Sequence, residues 1–352
     1  MDLYEAIHQA QWWEMAHADP SLVLDLIDAF RRSKTMFTAV SLGVFDRLHH
    51  SQASSAALAV ELNLHPGALT RLLDGCVGLG LLTKSGELYA NTQEAEVYLR
   101  RESPDTLSGY ILYSDQVLFQ LWSHLDEAVR EGTHRWDQSF GGKSALFDHF
   151  FRTPEARQTF LSGMHGLGQI GSPAVVRIFN LNQFRHMVDL GGATGHLSIA
   201  ACERYGNLRA TVFDLPAVVE SARPHISASR AADRLSVVAG DFFADPFPAG
   251  DLYAVSRILH DWSEEKIHRL LHKIHAALPA GGALLIAETL LDEDASGPVS
   301  SQMQSLNMLV CTEGRERTPS EYKVLLESCG FCRVEARRTG SPLDAVLAFK
   351  KE

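Results

Sequence analysis

The sequence lacks a surplus of positive charge, and it lacks long apolar runs. Its 32 lysines and arginines are outnumbered by 43 acidic residues, and the net charge of −11 argues against nucleic acid or an anionic membrane as the main partner. No uninterrupted apolar run reaches the roughly 18 residues of a membrane span. The acidic start MDLYEA lacks the basic and apolar regions of a signal peptide. We therefore expect a soluble, cytoplasmic protein without a membrane or nucleic-acid partner.

Cysteines are also few, and no sequence pattern groups them into a metal or disulfide framework. An odd number of scattered cysteines is typical of a reducing compartment. The last two form a C-x-x-C without a second pair, which we interpret as a chance spacing. His268 and His272 have the i, i+4 spacing of a metal pair, but no third ligand is evident nearby in the sequence, so we predict no metal. The five cysteines are Cys76, Cys202, Cys311, Cys329 and Cys332.

The order of sequence patterns predicts three parts. Residues 1–104 contain helices and a short hairpin, as in a winged helix, residues 105–180 are helical and rich in Phe, Met and Trp, and residues 181–352 alternate strands with helices. Within the first two parts we expect helices over residues 36–48, 115–132, 144–151 and 154–179. The first 30 residues include Trp12, Trp13 and Phe30 at helical spacing. Exposed aromatic residues so near a terminus are often covered by a partner subunit.

The winged-helix pattern raises DNA binding as an alternative function. The helix that would read the DNA, residues 67–79, carries Arg71 as its only base among several leucines. A groove-reading helix needs several polar or basic side chains at base edges. We therefore expect this helix to be buried rather than to bind DNA.

Residues 185–201, RHMVDLGGATGHLSIAA, are the stretch around which the last part is organised. A short apolar run containing Asp189 is followed by Gly191, Gly192 and Gly195, and then by small and apolar residues at helical spacing, which predicts a strand, a glycine turn and a helix start. The phosphate loop of NTPases would need Gly-Lys-Ser/Thr. The dinucleotide pattern would need glycines where Ala193 and His196 stand. A different cofactor is indicated.

Three successive predicted strands end in an acid or in glycine and an acid. These residues are Asp189, Asp214 and the pair Gly240 and Asp241. Because open α/β sheets bind ligands at the carboxyl edge of their strands, we expect these acids to share one crevice, with Asp214 positioned to accept ribose hydroxyls. Five strands, 187–190, 209–213, 235–239, 252–257 and 283–288, fit parallel βαβ units, whereas 331–336 and 344–350 are joined by a turn so short that they must pair antiparallel.

The motifs DLGGATG, FDLP, GDFF, RILHDW, PAGGALLIAE and GRERTP, in this order, resemble the class I S-adenosylmethionine (SAM) dependent O-methyltransferases of the plant caffeate and bacterial natural-product type. The run LNMLVCTEGRERTP is most similar to the acetylserotonin branch of that family. The resemblance implies an α/β Rossmann-like sheet with a C-terminal antiparallel hairpin and an N-terminal winged-helix dimerisation domain, hence a homodimer. The sequence departs from the family at Ala193, where glycine is usual, and we expect the methyl group to narrow the turn without abolishing it.

The resemblance also implies a cofactor site for SAM, whose product is S-adenosylhomocysteine, with no metal required. Gly191 would hold the methionine portion, Asp214 the ribose, and Asp241 with Phe242 the adenine. The full set of implied cofactor-binding residues is Gly191, Asp214, Leu215, Gly240, Asp241, Phe242, Arg257, Trp262 and Phe151.

His260 is our candidate for the general base. A phenol has a pKa of about 10, so a positioned base that removes its proton helps methyl transfer, and histidine is suited to that task. Among sixteen histidines, His260 follows the fourth strand of the predicted sheet, beside the crevice of strand-end acids. The resemblance supplies Glu288 and Glu316 as the groups that hold the base.

The resemblance places six residues against an aromatic substrate: Phe147, Phe160, Met164, Met303, Asn307 and Cys311. In acetylserotonin enzymes an Asn and a Gln four residues later hold the N-acetyl amide; here the second position is Cys311, a weak hydrogen-bonding group. We therefore predict a phenolic or hydroxylated aromatic substrate other than N-acetylserotonin. The alternatives are an N-methyltransferase, a non-methylating member of the same fold, or a DNA-binding regulator that senses SAM.

Overall fold

A computed structural model of the chain describes residues 18–142 and 146–351. The chain divides between Arg100 and Arg101 into two compact units. The helices between residues 105 and 180 belong to the same unit as the large sheet, and the predicted boundaries at 104 and 180 stay predictions. Trp12 and Trp13 lie outside the described residues, as do the first two residues, 144 and 145, of the helix predicted over 144–151.

The first unit combines helices with a small antiparallel sheet of strand order β1-β3-β2. The bounds of the helix predicted over residues 36–48 are wrong. A longer helix ends at Ser41, and a short second helix begins at Val44, because Gly43, with φ +76°, takes the backbone out of the helical conformation between them. The elements are α1 Ser21–Ser41, α2 Val44–Arg47, β1 Gln52–Ser54, α3 Ser55–Leu62, α4 Pro66–Gly78, β2 Leu82–Ser85, β3 Leu88–Asn91 and α5 Gln93–Tyr98.

Two helices of this unit present their apolar residues differently. Helix α4 buries Leu69, Leu73 and Cys76, as expected for a helix used in packing rather than groove reading. In α1, six large apolar side chains are 53–71% exposed within the single chain. Because such a row is unusual on the surface of a single chain, it marks an interaction surface. We call this row the α1 apolar face; it consists of Leu22, Val23, Leu24, Leu26, Ile27 and Phe30.

The second unit is built on a seven-stranded sheet of order β6-β5-β4-β7-β8-β10-β9. Strands β4 to β8 are parallel, and β10 pairs antiparallel with both β8 and β9. This confirms the parallel sheet and its antiparallel hairpin, although the fourth parallel strand ends one residue earlier than predicted. The strands are β4 His186–Leu190, β5 Arg209–Asp214, β6 Leu235–Ala239, β7 Leu252–Ser256, β8 Ala283–Glu288, β9 Phe331–Arg337 and β10 Asp344–Lys350.

Helices cover both faces of this sheet because the strand residues alternate between two apolar clusters. In β4, Leu190 packs with Ile267 and Leu271 on one face, whereas Met187 packs with Val175 and Leu197 on the other. The helices of the unit are α6 Ser108–Tyr113, α7 Phe119–Trp122, α8 Leu125–Glu131, α9 Trp136–Phe140, α10 Leu146–Phe150, α11 Pro154–Ile178, α12 His196–Arg204, α13 Pro216–Ala228, α14 Glu264–Ala277, α15 Val299–Cys311 and α16 Pro319–Ser328.

The continuous helix predicted over residues 115–132 is wrong. A π-helical turn, Ser114–Leu118, lies between α6 and α7. Helix α7 then ends at Trp122, and the next helix, α8, begins at Leu125. A π turn changes the direction in which side chains leave the helix, and such turns are frequent at functional sites. Among the described helices, none is both long and apolar enough to cross a bilayer.

Candidate active site

A cavity of about 230 Å³ lies at the carboxyl edge of the parallel strands of the second unit. Strands β4, β5, β6 and β7 each lead into a turn that contributes to its wall. It is lined by fifteen of the residues predicted for the site: Phe147, Phe151, Phe160, Met164, Gly191, Asp214, Leu215, Gly240, Asp241, Phe242, Arg257, His260, Trp262, Asn307 and Cys311. The structure therefore brings most of the predicted site together.

The glycine turn after β4 leaves no room for a side chain at its first position. Gly191 has φ +69°, and a Cβ there would lie 2.5 Å from Cδ1 of Ile258. Ala193 has φ +47° and lines the cavity, and its N–H donates to Oδ2 of Asp214 at 2.8 Å. The turn thus accepts the methyl group of Ala193, as expected, and ties itself to the end of β5.

The three strand-end acids have different surroundings. Asp214 lines the cavity, and its Oδ1 accepts the N–H of Leu215 at 2.7 Å, while burial raises its pKa to about 6. Asp241 also lines the cavity, and its Oδ1 accepts the N–H of Phe243 at 2.7 Å. Asp189, in contrast, is buried below the turn, where Ser198 donates to its Oδ2 at 2.8 Å. The expectation that all three acids share the crevice is therefore wrong for Asp189.

His260 is held in a buried network of carboxylates. Its Nδ1 lies 2.6 Å from Oε1 of Glu316, a residue that is fully buried. Glu288 contacts the backbone rather than the ring: its Oε1 accepts the N–H groups of Ile258, Leu259 and His260, at 3.1, 2.6 and 3.3 Å. Glu316 therefore fixes the ring, whereas Glu288 fixes the turn that carries it. Neither glutamate lines the cavity.

Three carboxylates set the charge state of this histidine. Burial lowers the pKa of His260, but the carboxylates of Glu316, Asp261 and Glu288 outweigh it and raise the pKa to about 10. Asp261 lies 3.7 Å from Nε2 of His260, and burial raises the pKa of Asp261 to about 7. The surrounding carboxylates therefore favour the protonated, imidazolium form of the His260 ring.

Aromatic side chains form another part of the cavity wall. The ring of Phe147 lies 5.2 Å from the ring of Trp262, and Phe160 contacts Phe150 at 4.8 Å and Tyr113 at 5.5 Å between centroids. Rings at these distances and tilts pack stably and exclude water. The wall is therefore suited to a flat, apolar ligand.

Helix α15 contributes a polar contact whose orientation can be assigned. The indole N–H of Trp122 donates to Oδ1 of Asn307 at 2.9 Å, and the thiol of Cys311 lies 3.6 Å from the same oxygen. Because indole is only a donor, the oxygen of the amide must face Trp122, which leaves the Asn307 NH₂ group free to donate elsewhere. Met303 is 45% exposed and does not line the cavity, so the expectation for this residue is not met. The cavity instead receives Gln304, Asn307, Met308 and Cys311, which share one helical face.

Several lining residues were not predicted. Tyr110 and Tyr113 precede the π turn, and His196 and Ser256 lie at the start of α12 and the end of β7. The strand-end position of Ser256 is a signal that could have been used, whereas the two tyrosines lie in α6, which precedes the helix predicted over residues 115–132.

Two buried donor atoms at the cavity have no hydrogen-bond partner among the residues that the structure describes. They are Nε of Arg257, a residue with φ +56° just beyond β7, and Nε1 of Trp262. Buried polar groups are almost always hydrogen-bonded. Together with the crowded glycine turn and the carboxylates of Asp214 and Asp241, these donors fit a ligand that is both polar and aromatic.

The sheet order, the glycine turn and the acids at its edge define a class I methyltransferase fold. The family model described as the O-methyltransferase domain matches residues 122–332, and the O-methyltransferase dimerisation domain matches residues 24–101. The chain belongs to the O-methyltransferase family, which confirms the resemblance seen in the sequence.

Relatives with described activities cover nearly the whole chain. Acetylserotonin O-methyltransferase of Bos taurus is 42% identical over 337 residues, which are 94% of this chain and 97% of the relative. A probable bifunctional dTTP/UTP pyrophosphatase/methyltransferase protein of Homo sapiens is 40% identical, and the chain spans 54% of its length. Human N-acetylserotonin methyltransferase, solved with SAM, superimposes with a TM-score of 0.90 at 37% identity, covering 96% of this chain and 99% of that one.

Proposed function

We propose that this chain methylates a hydroxyl group of an aromatic small molecule, with SAM as the methyl donor and His260 as the general base. The observation that carries this proposal is that the ring of His260, held by Glu316, lines the same cavity as the glycine turn and the aromatic wall. Proximity of a base and a positioned substrate supplies a large part of the rate enhancement in such a reaction.

The cofactor is supported by the site and by the solved relatives. The human relative was solved with SAM, and PigF, 27% identical with a TM-score of 0.85 over 95% of this chain and 100% of that one, was solved with S-adenosylhomocysteine. When bound, SAM supplies a methyl group activated by the positive sulfonium. In this chain the turn at Gly191, the carboxylates of Asp214 and Asp241, and the unpaired donor of Trp262 would hold it.

The chain's own residues account for the proton. Since Nδ1 of His260 is engaged by Glu316, Nε2 is the nitrogen that takes the proton of the substrate hydroxyl. Asp261, 3.7 Å from Nε2, favours the imidazolium formed in that step. Glu288 is a positioning residue, because it binds the backbone N–H groups of the turn that carries His260.

Asn307 narrows the class of substrate. Its NH₂ group is free to donate, whereas its oxygen is occupied by Trp122. The substrate should therefore carry a hydrogen-bond acceptor, such as a carbonyl oxygen, besides its hydroxyl. Cys311 offers only a weak partner where a second amide would hold an N-acetyl group. We infer a hydroxylated aromatic carbonyl compound rather than N-acetylserotonin as the preferred substrate.

The dimerisation-domain match and the α1 apolar face support a homodimer formed through the first unit. Covering several half-exposed large side chains at once is favourable by roughly 25 cal/mol for each Å² of apolar surface removed from water. The helix α1 is therefore our candidate for the dimer contact.

A labelled-methyl screen tests the catalytic proposal. Hydroxylated aromatics, N-acetylserotonin and matched aromatic amines are incubated with methyl-labelled SAM, and products are read by mass. We expect label on a hydroxyl oxygen and a loss of about 100-fold or more in kcat for His260→Ala, with an unchanged Kd for SAM by calorimetry. Methylation of amines only, at a rate that His260→Ala does not change, would overturn the catalytic proposal. Efficient turnover of N-acetylserotonin would overturn the proposed substrate preference.

A further inference from the structure

Two histidines of α14 and one cysteine after α16 form a cluster that the methyl-transfer site does not use. One nitrogen of His268, one of His272 and the Sγ of Cys329 all lie within 4.8 Å of one another. None of the three lines the cavity described above. From the sequence no third ligand was evident beside the histidine pair; the fold supplies it from a position 61 residues beyond His268.

The backbone holds these three residues in place. Helix α14 buries Ile267, Leu270, Leu271 and Ile274 against the sheet, so its two histidines, one turn apart, project together from the adjacent face. Cys329 directly follows α16 and is 2% exposed within the same apolar cluster.

A second contact holds the turn that carries Cys329. Gly330 has φ +94°, and a Cβ there would come within 3.1 Å of the His275 ring, so the turn packs directly against α14. Because α14 and the turn touch at two points, the sulfur and the two rings have little freedom to separate.

The chemistry of the donor set selects a kind of metal ion. The thiol of Cys329 lies 3.3 Å from Nδ1 of His268, which is a weak hydrogen bond between a buried thiol and an imidazole. One thiolate and two imidazoles prefer zinc-like ions over Ca²⁺ and Mg²⁺, which take oxygen ligands. His272 is exposed, so an ion can reach the cluster from solvent and keep water at a remaining position.

We propose that His268, His272 and Cys329 form a three-ligand site for a zinc-like divalent ion that ties α14 to the turn entering β9. Binding forms a bond from the metal to Sγ and breaks the S–H bond, and the proton leaves to solvent.

Two other clusters within the described residues are weaker candidates because their carboxylates are already engaged. Oε2 of Glu96 lies 2.9 Å from Nδ1 of His49, and its other oxygen accepts the backbone N–H of His50. In the catalytic cluster, Oε1 of Glu288 already accepts several backbone N–H groups. Neither cluster contains a thiol, which makes the proposed site distinguishable by spectroscopy.

Cobalt titration tests the site directly. The full chain, free of any affinity tag, stripped with chelator and kept reduced, is titrated with Co²⁺ alone. We expect one equivalent to bind with a near-ultraviolet thiolate-to-cobalt charge-transfer band and the release of one proton per ion. Cys329→Ser should abolish the band, whereas Cys332→Ser should retain it, because the Cys332 thiol instead donates to the carbonyl of Phe349.

His272→Gln is a second variant that should fold normally, because the side chain of His272 is exposed. We expect it to weaken Co²⁺ binding at least about 10-fold, since even outer-shell changes weaken metal sites by 10–100-fold. It should leave methyl transfer without added metal unchanged. Zn²⁺ should raise the Tm of the unaltered chain and not that of the variant. Absence of the band in the unaltered chain, its retention in Cys329→Ser, or its loss in Cys332→Ser would each overturn the proposal.

Discussion

At the scale of single residues, the contact between His260 and Glu316 determines when the base is available. The carboxylates around His260 raise its pKa to about 10 against the effect of burial. A raised histidine pKa means that the neutral form, which can accept a proton, accumulates only as pH rises toward that value. Activity should therefore increase from neutral into alkaline pH.

Glu316→Gln should move this dependence to lower pH. The amide oxygen still accepts from Nδ1 of His260, but the largest charge that raises the pKa is gone. We expect the rising limb of kcat/KM against pH to shift down by about one pH unit or more, with a lower plateau because the base is weaker. Glu265→Gln, at an exposed position of α14, is the matched control and should leave the profile unchanged. An unshifted profile in Glu316→Gln would contradict the assignment.

Asn307→Asp should change which substrates are preferred. The substitution keeps an acceptor for Trp122 but removes the NH₂ donor and adds a negative charge, so a substrate carbonyl would face a carboxylate. We expect kcat/KM for phenols that carry a carbonyl acceptor to fall about 10- to 100-fold relative to phenols that lack one. The measurement is that ratio, so a general loss of folding cancels. Equal losses for both substrate types would refute the contact.

These residue assignments were only partly accessible from the sequence. His260, Asp214 and Asp241 could be found because each lies at or just after the carboxyl end of a strand, a position that periodicity reveals. The different partners of Glu288 and Glu316 could not, since both are carboxylates distant in sequence, and only the fold directs one to a backbone and the other to a ring.

At the scale of elements, the turn after β4 combines left-handed backbone with a close approach. Gly191→Ala should therefore lower the free energy of unfolding more than a glycine-to-alanine change at a left-handed position with open space around it. Gly132→Ala, where φ is +67° and a Cβ meets nothing within 4 Å, is the matched control in the same unit. We expect about 1–2 kcal/mol of destabilisation for Gly132→Ala and about 1–3 kcal/mol more for Gly191→Ala because of overpacking against Ile258.

Denaturant unfolding monitors the stability of both glycine variants, and calorimetry measures SAM binding. Only Gly191→Ala should also weaken SAM binding, since only that turn lines the cavity. Equal destabilisation of the two variants with unchanged SAM affinity would show that the crowding at Gly191 is relieved by movement of Ile258.

Helices and strands were predicted well where local sequence patterns determine their bounds, and poorly where contacts with residues distant in sequence determine them. Helix α11 follows its predicted span almost to the residue, because Thr153 caps it and an apolar face runs along it. The helix predicted over 115–132 is broken, since packing of the aromatic wall overrides its local propensity. The short turn between the last two strands implied that they pair antiparallel. The pairing of β10 with β8 joins segments distant in sequence, so no local pattern predicts it.

At the scale of the whole molecule, the α1 apolar face predicts the oligomeric state. Ile27→Glu places a charge in the middle of that face and should convert the dimer into a monomer of 38.8 kDa, as measured by light scattering on a sizing column. Val129→Glu changes an apolar side chain of the second unit that is at least as exposed, and it should leave the dimer intact. A dimer that persists in Ile27→Glu would exclude α1 as the contact.

The position of β10 constrains how the second unit can be made. Strand β8 is buried along its whole length. The backbone hydrogen-bonding groups on one of its two edges pair with β10, which lies more than fifty residues later in the chain. During synthesis, the chain therefore carries an open, apolar strand edge until residue 350 has emerged, and β9 has no place in the sheet before then. A truncation before residue 344 would leave that edge permanently available to other chains, and the expected outcome is aggregation rather than a smaller active enzyme.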